Sequence, residues 1–414
     1  MQIFALGILV VQLAERDGKP QLAPFYLGLM GLARAVPGLA FTLIAGAVAD
    51  RVDRRRLLLV TQTTMAVNAG VLAATVFLGY ASLWNVLVAA TIQSAAFAFD
   101  NPARQSMIAR IVPLPFLPSA IGLQSAAFNG ASIIGPLVAG LLFLPLGVAG
   151  LLTVNAISFA TIIGALLTMR PLPPAAARTA HSLVASVREG ARYIRRDPVM
   201  VWVLVIATTD FAAAGPANAL LPAVAGDRLW NGVSWLALLL TAMGLGSFAG
   251  SFVTMNAGRV RRPGRIFVFA AIANGVSLIA FALSANPIVA LVFCFVVGLS
   301  ATLLAGMGNN MLQASTDDAY RGRVMSVWAI QFIGLMPVGQ LALGALGTLL
   351  GIHAALVIGG GIALAAGVYA TLRVPALREW RAPAHPHIEP QPVATESVGL
   401  VTSSVAVGEA TSLK

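Results

Sequence analysis

Long stretches without a charged side chain dominate this sequence. Residues 57–99 contain no Asp, Glu, Lys or Arg, and residues 24–49 contain only Arg34. The chain is 58% hydrophobic and 10% charged, whereas a soluble domain carries roughly 25% charged residues. Because a helix needs about 20 apolar residues to cross a bilayer, such runs predict membrane-spanning helices. Their apolarity is continuous rather than alternating, which favours helices over a β-barrel.

Polar loops divide the apolar sequence into twelve predicted spans. These are 1–14, 24–49, 57–79, 84–100, 119–144, 147–169, 199–222, 233–257, 266–284, 286–310, 325–349 and 351–373. The first is short, since about 14 helical residues rise only about 21 Å against a hydrocarbon core of about 30 Å. We therefore expect an incomplete first helix, caused either by a misassigned start codon or by a real truncation.

Basic residues are concentrated on one side of the predicted spans. Of the 26 Lys and Arg residues, 22 fall on that side. Arg16, Lys19 and Arg228 fall on the other side, and Arg34 falls inside a span. The side rich in Lys and Arg is the cytoplasmic side of a membrane protein. The linker and the C-terminus are thus predicted to be cytoplasmic. The net charge of +11 then reflects membrane topology, and we expect no nucleic-acid partner.

The twelve spans form two halves. We predict an N-terminal six-helix bundle at 1–169 and a C-terminal one at 199–373. The linker at 170–198 starts with a proline-rich break and continues as a basic amphipathic segment, whose apolar residues are predicted to rest on lipid. Residues 374–414 are rich in Pro, Glu, Ser, Thr and Val, a composition that predicts a disordered tail.

A charge cluster between the second and third spans has the pattern G-x-x-x-D-R-x-D-R-R-R at 46–56, and a weaker counterpart stands at 258–264 in the second half. The pattern resembles the signature loop of the major facilitator superfamily. Residues 100–105, 120–125 and 135–140 resemble the branch that contains enterobactin exporters and macrolide efflux proteins.

This resemblance implies an all-α polytopic membrane protein built from two six-helix bundles, with a substrate site between them near the midplane. The implied function is export of a small molecule, such as a drug, a macrolide or a siderophore, by alternating access. The expected setting is the bacterial cytoplasmic (inner) membrane, where the protein contacts lipid and works as a monomer.

Charged residues at the predicted cytoplasmic end are candidates for a gate. Asp50 ends the second span, and the eleventh span begins on the same side with its partly positive N-terminus. Docking of Asp50 there, beside Arg104 or Arg323, would close that end in the outward-open state. The gating candidates are Asp50, Arg51, Asp53, Arg54, Arg104 and Arg323. The alternative is that these charges only set the topology.

Two charged residues lie inside predicted spans, where ionisable groups are candidates for function. Arg34 is about ten residues into the second span and Asp210 about twelve into the seventh, so both are near mid-depth. A partly dry cavity favours the neutral form of a carboxyl group, which suits proton binding and release. We predict Asp210 as the proton-coupling site and Arg34 as its charge partner or as an anion contact. A structural ion pair is the alternative.

Polar and small residues complete the candidate site. Gln124, Asn129, Asn155 and Asn218 are predicted to line the cavity, or else to join helices by hydrogen bonds. Gly135, Pro136 and Gly140 resemble the core of an antiporter motif in the fifth span and are predicted to allow close helix packing.

Catalytic and metal-binding motifs are absent from the sequence. Neither Lys19 nor Lys414 belongs to a phosphate-binding G-x-x-x-x-G-K loop, and no H-E-x-x-H occurs. We therefore expect no catalytic residues, no metal and no cofactor, and transport driven by an ion gradient. The alternatives are a truncated homologue that does not transport and a polytopic membrane enzyme.

Overall fold

The computed structural model describes residues 2–113, 116–169, 183–227, 233–256, 260 and 262–381, and these residues are almost entirely helical. The helices are α1 (Gln2–Arg16), α2 (Ala23–Arg51), α3 (Arg54–Phe77), α4 (Leu83–Ile111), α5 (Leu117–Thr168), α6 (Leu183–Ile194), α7 (Pro198–Thr209), α8 (Ala217–Asp227), α9 (Val233–Met255), α10 (Pro263–Leu283), α11 (Pro287–Ala314), α12 (Asp318–Ile330), α13 (Met336–Leu350), α14 (Ile352–Arg373) and α15 (Pro375–Glu379). Nine stretches of the described residues are long and apolar enough to cross a membrane.

The predicted spans correspond to these helices. Helix α5 covers both the fifth and the sixth span, and Gly147 separates them with a backbone conformation (φ 62°, ψ −169°) that is open mainly to glycine. Helices α7 and α8 form the seventh span, and α12 and α13 form the eleventh. Each of these two pairs is joined through a π-helical turn, at Asp210–Ala214 and Gln331–Leu335.

Two helices extend well beyond the predicted boundaries. Helix α4 continues to Ile111 instead of ending at residue 100, and α12 begins at Asp318 instead of at residue 325. Hydropathy marks only the part of a helix that lies in lipid. The backbone hydrogen bonds continue into the polar region until a helix-breaking residue such as Pro113 stops them.

Pro37 lies inside α2, where its missing N–H leaves a carbonyl group of the preceding turn without its usual donor. Hydroxyl groups of α4 bond to the carbonyls at this point: Thr91 Oγ1 donates to Ala33 O at 3.2 Å, and Ser94 Oγ donates to Arg34 O. Such compensation is what allows proline inside a membrane helix. It also fastens α2 to α4.

The helices pack mainly within two groups. In the first group α2 packs on α4, and α3 packs on α4 and α5; in the second, α9 and α10 both pack on α11, and α10 also packs on α14. Contacts between the groups join α2 to α13, α5 to α9 and α1 to α8. The α2–α13 seam is very close, because a Cβ atom on Gly344 would lie 3.1 Å from the carbonyl carbon of Pro24 and 3.3 Å from Gly28 Cα.

These contacts between the groups lie away from the end of the bundle that carries residues 51–56, which we call the arginine-rich end. Pro24 and Gly28 are in the first two turns of α2, which reaches the arginine-rich end only at Arg51. Gly140 packs against Ala237 near the start of α9. The two groups are therefore closed against each other at the opposite end.

Two predictions about the polar segments need correction. Ile194 of α6 is buried in a protein core with Met200 and Val324 and does not rest on lipid, because α6 packs against α12. The predicted disordered tail begins too early, since Pro375–Glu379 form α15 and Trp380 Nε1 donates to Ser315 Oγ at 3.2 Å. Residues 170–182 and 382–414 lie outside the described residues.

Arg55 caps the end of α5. Its Nε donates to Leu166 O at 2.6 Å, which also accepts from Met169 N at 3.3 Å, and its Nη2 donates to Leu167 O at 2.8 Å. Both carbonyl groups are in the last turn, where a helix lacks donors from a following turn. We expect Arg55→Gln to lower the free energy of unfolding by about 1–3 kcal/mol, measured by thermal unfolding in detergent. The matched control is Arg56→Gln, whose side chain is 81% exposed and only 3.9 Å from Asp53. An equal effect of the two changes would contradict the capping role.

Candidate functional site

A cavity of about 660 Å³ lies in the second helix group and extends from the π turn of the seventh span to the last residue of α9. Its lining residues are Asp210, Phe211, Gly215, Asn218, Thr254, Met255, Ala301, Thr302, Ala305, Gly306, Asn309, Asn310, Trp328 and Met336. The lining combines amide and hydroxyl groups with two aromatic rings, and its one charged residue is Asp210. Met255 ends α9 at the arginine-rich end and is 80% exposed, so the cavity reaches the surface at that end.

Asp210 is at the inner end of this cavity and is only 2% exposed. Its Oδ1 accepts a hydrogen bond from Asn274 Nδ2 at 2.5 Å. The side chain of Asn274 is held in turn by Ser300 Oγ, which donates to Asn274 Oδ1 at 3.2 Å. All three side chains are buried. The carboxyl group thus belongs to a polar network that links α10 and α11 to the seventh span, with Asp210 as its only member that ionises.

The π turn places Asp210 at this point. Gly215 N donates to Asp210 O at 2.7 Å, five residues apart instead of the four of an α-helix. Pro216 follows directly and cannot continue the regular bonding pattern, since it lacks an N–H group. A Gly-Pro pair in the middle of a predicted span was therefore the available signal for an irregular helix here.

The second π turn lies beside the first. It begins at Gln331, whose Nε2 donates to Thr208 Oγ1 at 2.5 Å and to Leu204 O at 3.2 Å. Gln331 is buried and ties the eleventh span to the seventh one turn before Asp210. Gln331 was not among the predicted site residues. Its only signal was Pro337, which comes shortly after the turn.

Arg34 lies near the middle of α2, at the level where this helix faces the start of α13. Ser94 and the Pro37 turn fix its backbone, as described above. Among the described side chains, neither Arg34 nor Asp210 forms an ion pair, and Asp210 bonds to Asn274 instead. The structure therefore does not bring the two predicted charge partners together in this conformation.

A second polar network lies at the arginine-rich end of the first helix group. Asp100 is 1% exposed and accepts hydrogen bonds from Thr61 Oγ1 at 3.0 Å and Gln62 Nε2 at 2.6 Å. Arg104 Nη2 lies 2.7 Å from Asp100 Oδ2. Arg104 is therefore the ionic partner of Asp100 on α4, one turn away.

Two of the other gating candidates, Asp53 and Arg323, make contacts outside this network. Asp53 caps α3 by accepting a hydrogen bond from Arg55 N at 3.0 Å, and Arg54 is buried at the start of the same helix. Arg323 pairs with Glu189 of α6 at 3.0 Å. Asp50 and Arg51 form the end of α2, and their side chains lie outside the described residues.

The predicted polar and small residues occupy different places. Asn218 lines the cavity, and Asn155 Nδ2 donates to Gln2 Oε1 at 3.4 Å, which joins α5 to α1. Gln124, Gly135 and Pro136 are partly buried in α5, and Gly140 packs on α9. Asn129 is helical, but its side chain lies outside the described residues. Among the described residues, no three His, Cys, Asp or Glu side chains cluster as metal ligands would.

The paired helix groups have the architecture of the major facilitator fold. The solved structures of the nucleoside transporter NupG and of the peptide transporter POT in complex with sulfate both superpose with a TM-score of 0.67. NupG is 12% identical, with 92% of this chain and 98% of that chain covered; POT is 14% identical, with 92% and 93% covered. At such identities the likeness shows the fold alone.

The family follows from the sequence. A model of the transmembrane secretion effector family of the major facilitator superfamily matches residues 21–404, so the chain belongs to this family. It is a multi-pass membrane protein and a transporter, not an enzyme.

Similar curated proteins are efflux proteins from bacteria. The multidrug efflux pump Tap of Mycolicibacterium fortuitum is 28% identical over 368 residues, which cover 85% of this chain and 87% of that protein. Macrolide efflux protein A of Streptococcus pyogenes is 21% identical and covers 80% of this chain and 82% of its own. The enterobactin exporter EntS of Shigella flexneri is 23% identical, with 92% and 91% covered. The predicted resemblance is thus confirmed.

Proposed function

We propose that this protein is a proton-coupled exporter of a lipophilic small molecule in the bacterial inner membrane. The observation that carries the proposal is the buried carboxyl group of Asp210 at the inner end of an open cavity. A carboxyl group buried among uncharged groups is costly to ionise. In this conformation the Asp210 carboxyl group therefore favours its protonated, neutral form. A second conformation that exposes the group to water would release the proton. The efflux relatives support export as the direction.

The cavity chemistry favours a drug-like substrate over an anionic siderophore. Phe211 and Trp328 offer aromatic surface, and Asn218, Asn309 and Asn310 offer amide groups. An anionic substrate would bring its own charge beside the carboxyl group of Asp210 without a basic residue in the lining. A macrolide or another neutral or cationic amphiphile suits this lining better.

In the proposed cycle the arginine-rich end faces the cytoplasm, and the two bundles at 1–169 and 199–373 rock against each other within a monomer. The conformation described above is then open to the cytoplasm. Asp50 would dock on the N-terminal end of the eleventh span when that end closes, with Arg104 and Arg323 beside it and Arg51, Asp53 and Arg54 supporting the loop. Arg34 would act as charge partner of Asp210 in that second conformation.

The experiment that tests this function is an accumulation assay in bacteria without their own efflux pumps. Macrolides, cationic dyes and a catecholate siderophore are loaded with and without a protonophore, and membrane expression is verified. We expect reduced accumulation of a macrolide or a dye, and loss of this reduction with the protonophore. Accumulation that is reduced to the same extent with and without the protonophore would refute proton coupling. No change for any compound would favour a homologue that does not transport.

A further inference from the structure

Helix α6 has one face docked on the protein at the base of the eleventh span. Tyr193 OH donates to Asp317 Oδ2 at 3.0 Å, and the Tyr193 ring stacks on Tyr320 with centroids 4.8 Å apart. Gly190 lies directly against α12 at Arg323 and Val327, and Ile194 is buried. These contacts fix the orientation of α6 and therefore decide which of its residues face outward.

The outward face of α6 is strongly basic. Arg188 and Arg192 of α6 and Arg195, which directly follows the helix, are all exposed. Arg195 N still donates to Ala191 O at 3.2 Å as in a helix, so spacings of four and three residues place the three arginines on one face. Glu189 is the only acidic residue of α6, and it is engaged with Arg323 at 3.0 Å. Among the described residues none of the three arginines has an acidic partner within ion-pair distance. The face therefore carries positive charge that the protein itself does not neutralise.

This basic face lies at the level where the membrane begins. Arg195 is three residues before Pro198, the first residue of the seventh span's apolar stretch. Gly190 is level with Arg323 and Val327, where the apolar part of the eleventh span starts. A basic face at this depth is adjacent to lipid headgroups, and anionic lipids attract juxtamembrane arginines most strongly.

We propose that the exposed arginine face of α6 binds the headgroups of anionic phospholipids, and that bound lipid holds α6 against α12. The guanidinium group presents its N–H donors in a planar fork that matches phosphate oxygens. One face of α6 contacts α12, in part through the ion pair of Glu189 with Arg323. Lipid that binds the arginine face holds α6 in this orientation and so stabilises its contacts with α12. This inference requires a membrane-embedded chain but neither proton coupling nor a particular substrate.

The test compares the full chain in nanodiscs of phosphatidylcholine alone and of phosphatidylcholine with phosphatidylglycerol. The variant combines Arg188→Gln, Arg192→Gln and Arg195→Gln. The matched control combines Arg265→Gln, Arg373→Gln and Arg381→Gln, which are exposed arginines near the ends of helices at the same end of the bundle. Native mass spectrometry counts the lipids retained, and the thermal midpoint in phosphatidylcholine alone checks that each variant is folded.

We expect the α6 variant to lose its preference for phosphatidylglycerol by about tenfold or more, since each arginine near the surface contributes severalfold, while the control keeps most of it. An equal loss in both variants would refute a specific site and indicate diffuse attraction. Stronger binding of soluble polyglutamate than of phosphatidylglycerol would point to an acidic protein partner and overturn the lipid assignment.

A second measurement needs no variant and so remains possible if the α6 variant does not fold. Hydrogen exchange of α6 in the wild-type protein is compared between the two nanodisc compositions. Slower exchange of residues 186–194 with phosphatidylglycerol supports the proposal, and unchanged exchange overturns it.

Discussion

Asp210→Asn is expected to abolish proton-driven efflux completely while the protein still folds. An asparagine at 210 keeps the shape of the side chain and an oxygen that can accept the hydrogen bond from Asn274, so the buried network is preserved. It cannot bind and release a proton. In proteoliposomes with an imposed proton gradient, substrate efflux should fall to the rate of empty vesicles. Exchange of labelled for unlabelled substrate, which needs no net proton movement, should continue.

The control for this experiment is Asp17→Asn, which removes a carboxylate of the same type from an exposed site at the opposite end of the bundle. Its efflux should equal that of the wild-type protein. Gradient-driven efflux by the Asp210→Asn variant would refute the coupling role and leave Asp210 as a structural hydrogen-bond acceptor.

Gly344→Val is expected to shift the transporter away from the conformation described here and to stop transport. The Cβ atom alone would overlap the carbonyl oxygen of Pro24 and lie 3.1 Å from its carbonyl carbon, both backbone atoms, so α2 and α13 must separate at their closed end. Overpacking of this kind costs about 1–3 kcal/mol, which changes a two-state equilibrium roughly 5- to 150-fold. In the alternative conformation, which is open away from the arginine-rich end, α2 and α13 are separated at this seam. The substitution does not disfavour that conformation, which should therefore become dominant.

The population shift can be read from thiol labelling at the cavity mouth. Cys294 is buried, and replacing it with Ser leaves a cysteine-free background. A Thr254→Cys probe in the cavity lining should label more slowly once Gly344→Val is added. Gly361→Val is the matched control, because no atom outside its chain neighbours and the backbone of its own helix lies within 4 Å of a Cβ at that position. Equal labelling rates in the two glycine variants would contradict a role of the seam in conformational balance.

The spans were predictable from sequence because burial in lipid requires apolar side chains at every turn. The break between the fifth and sixth spans at Gly147 was predicted within a few residues for the same reason. The helix ends at Ile111 and Asp318 were not, since hydropathy has no information about helical turns that lie beyond the lipid.

The candidate site was predictable only in part. A lone Asp210 in an apolar run is visible in any sequence, but its partners Asn274 and Ser300 come from spans more than sixty residues away. The predicted pairing of Arg34 with Asp210 rests on their equal depth alone, and equal depth in a bilayer does not fix lateral position. The two residues belong to separate helix groups, and the described side chains show no ion pair between them in this conformation, so the pairing stays a prediction for the second conformation. The docking of α6 was missed because an amphipathic pattern indicates an apolar face without saying whether lipid or protein covers it.

Each π turn carries one residue more than a regular helix of the same length would need. In a regular α-helix, deletion of a single codon would rotate everything that follows by about 100°. Within 211–214 the same deletion would only remove the extra residue of the π turn, so that a regular α-helix remains and Asn218 keeps its place on the cavity wall. The π turn is thus the part of the seventh span where the gene should tolerate the loss of one codon best.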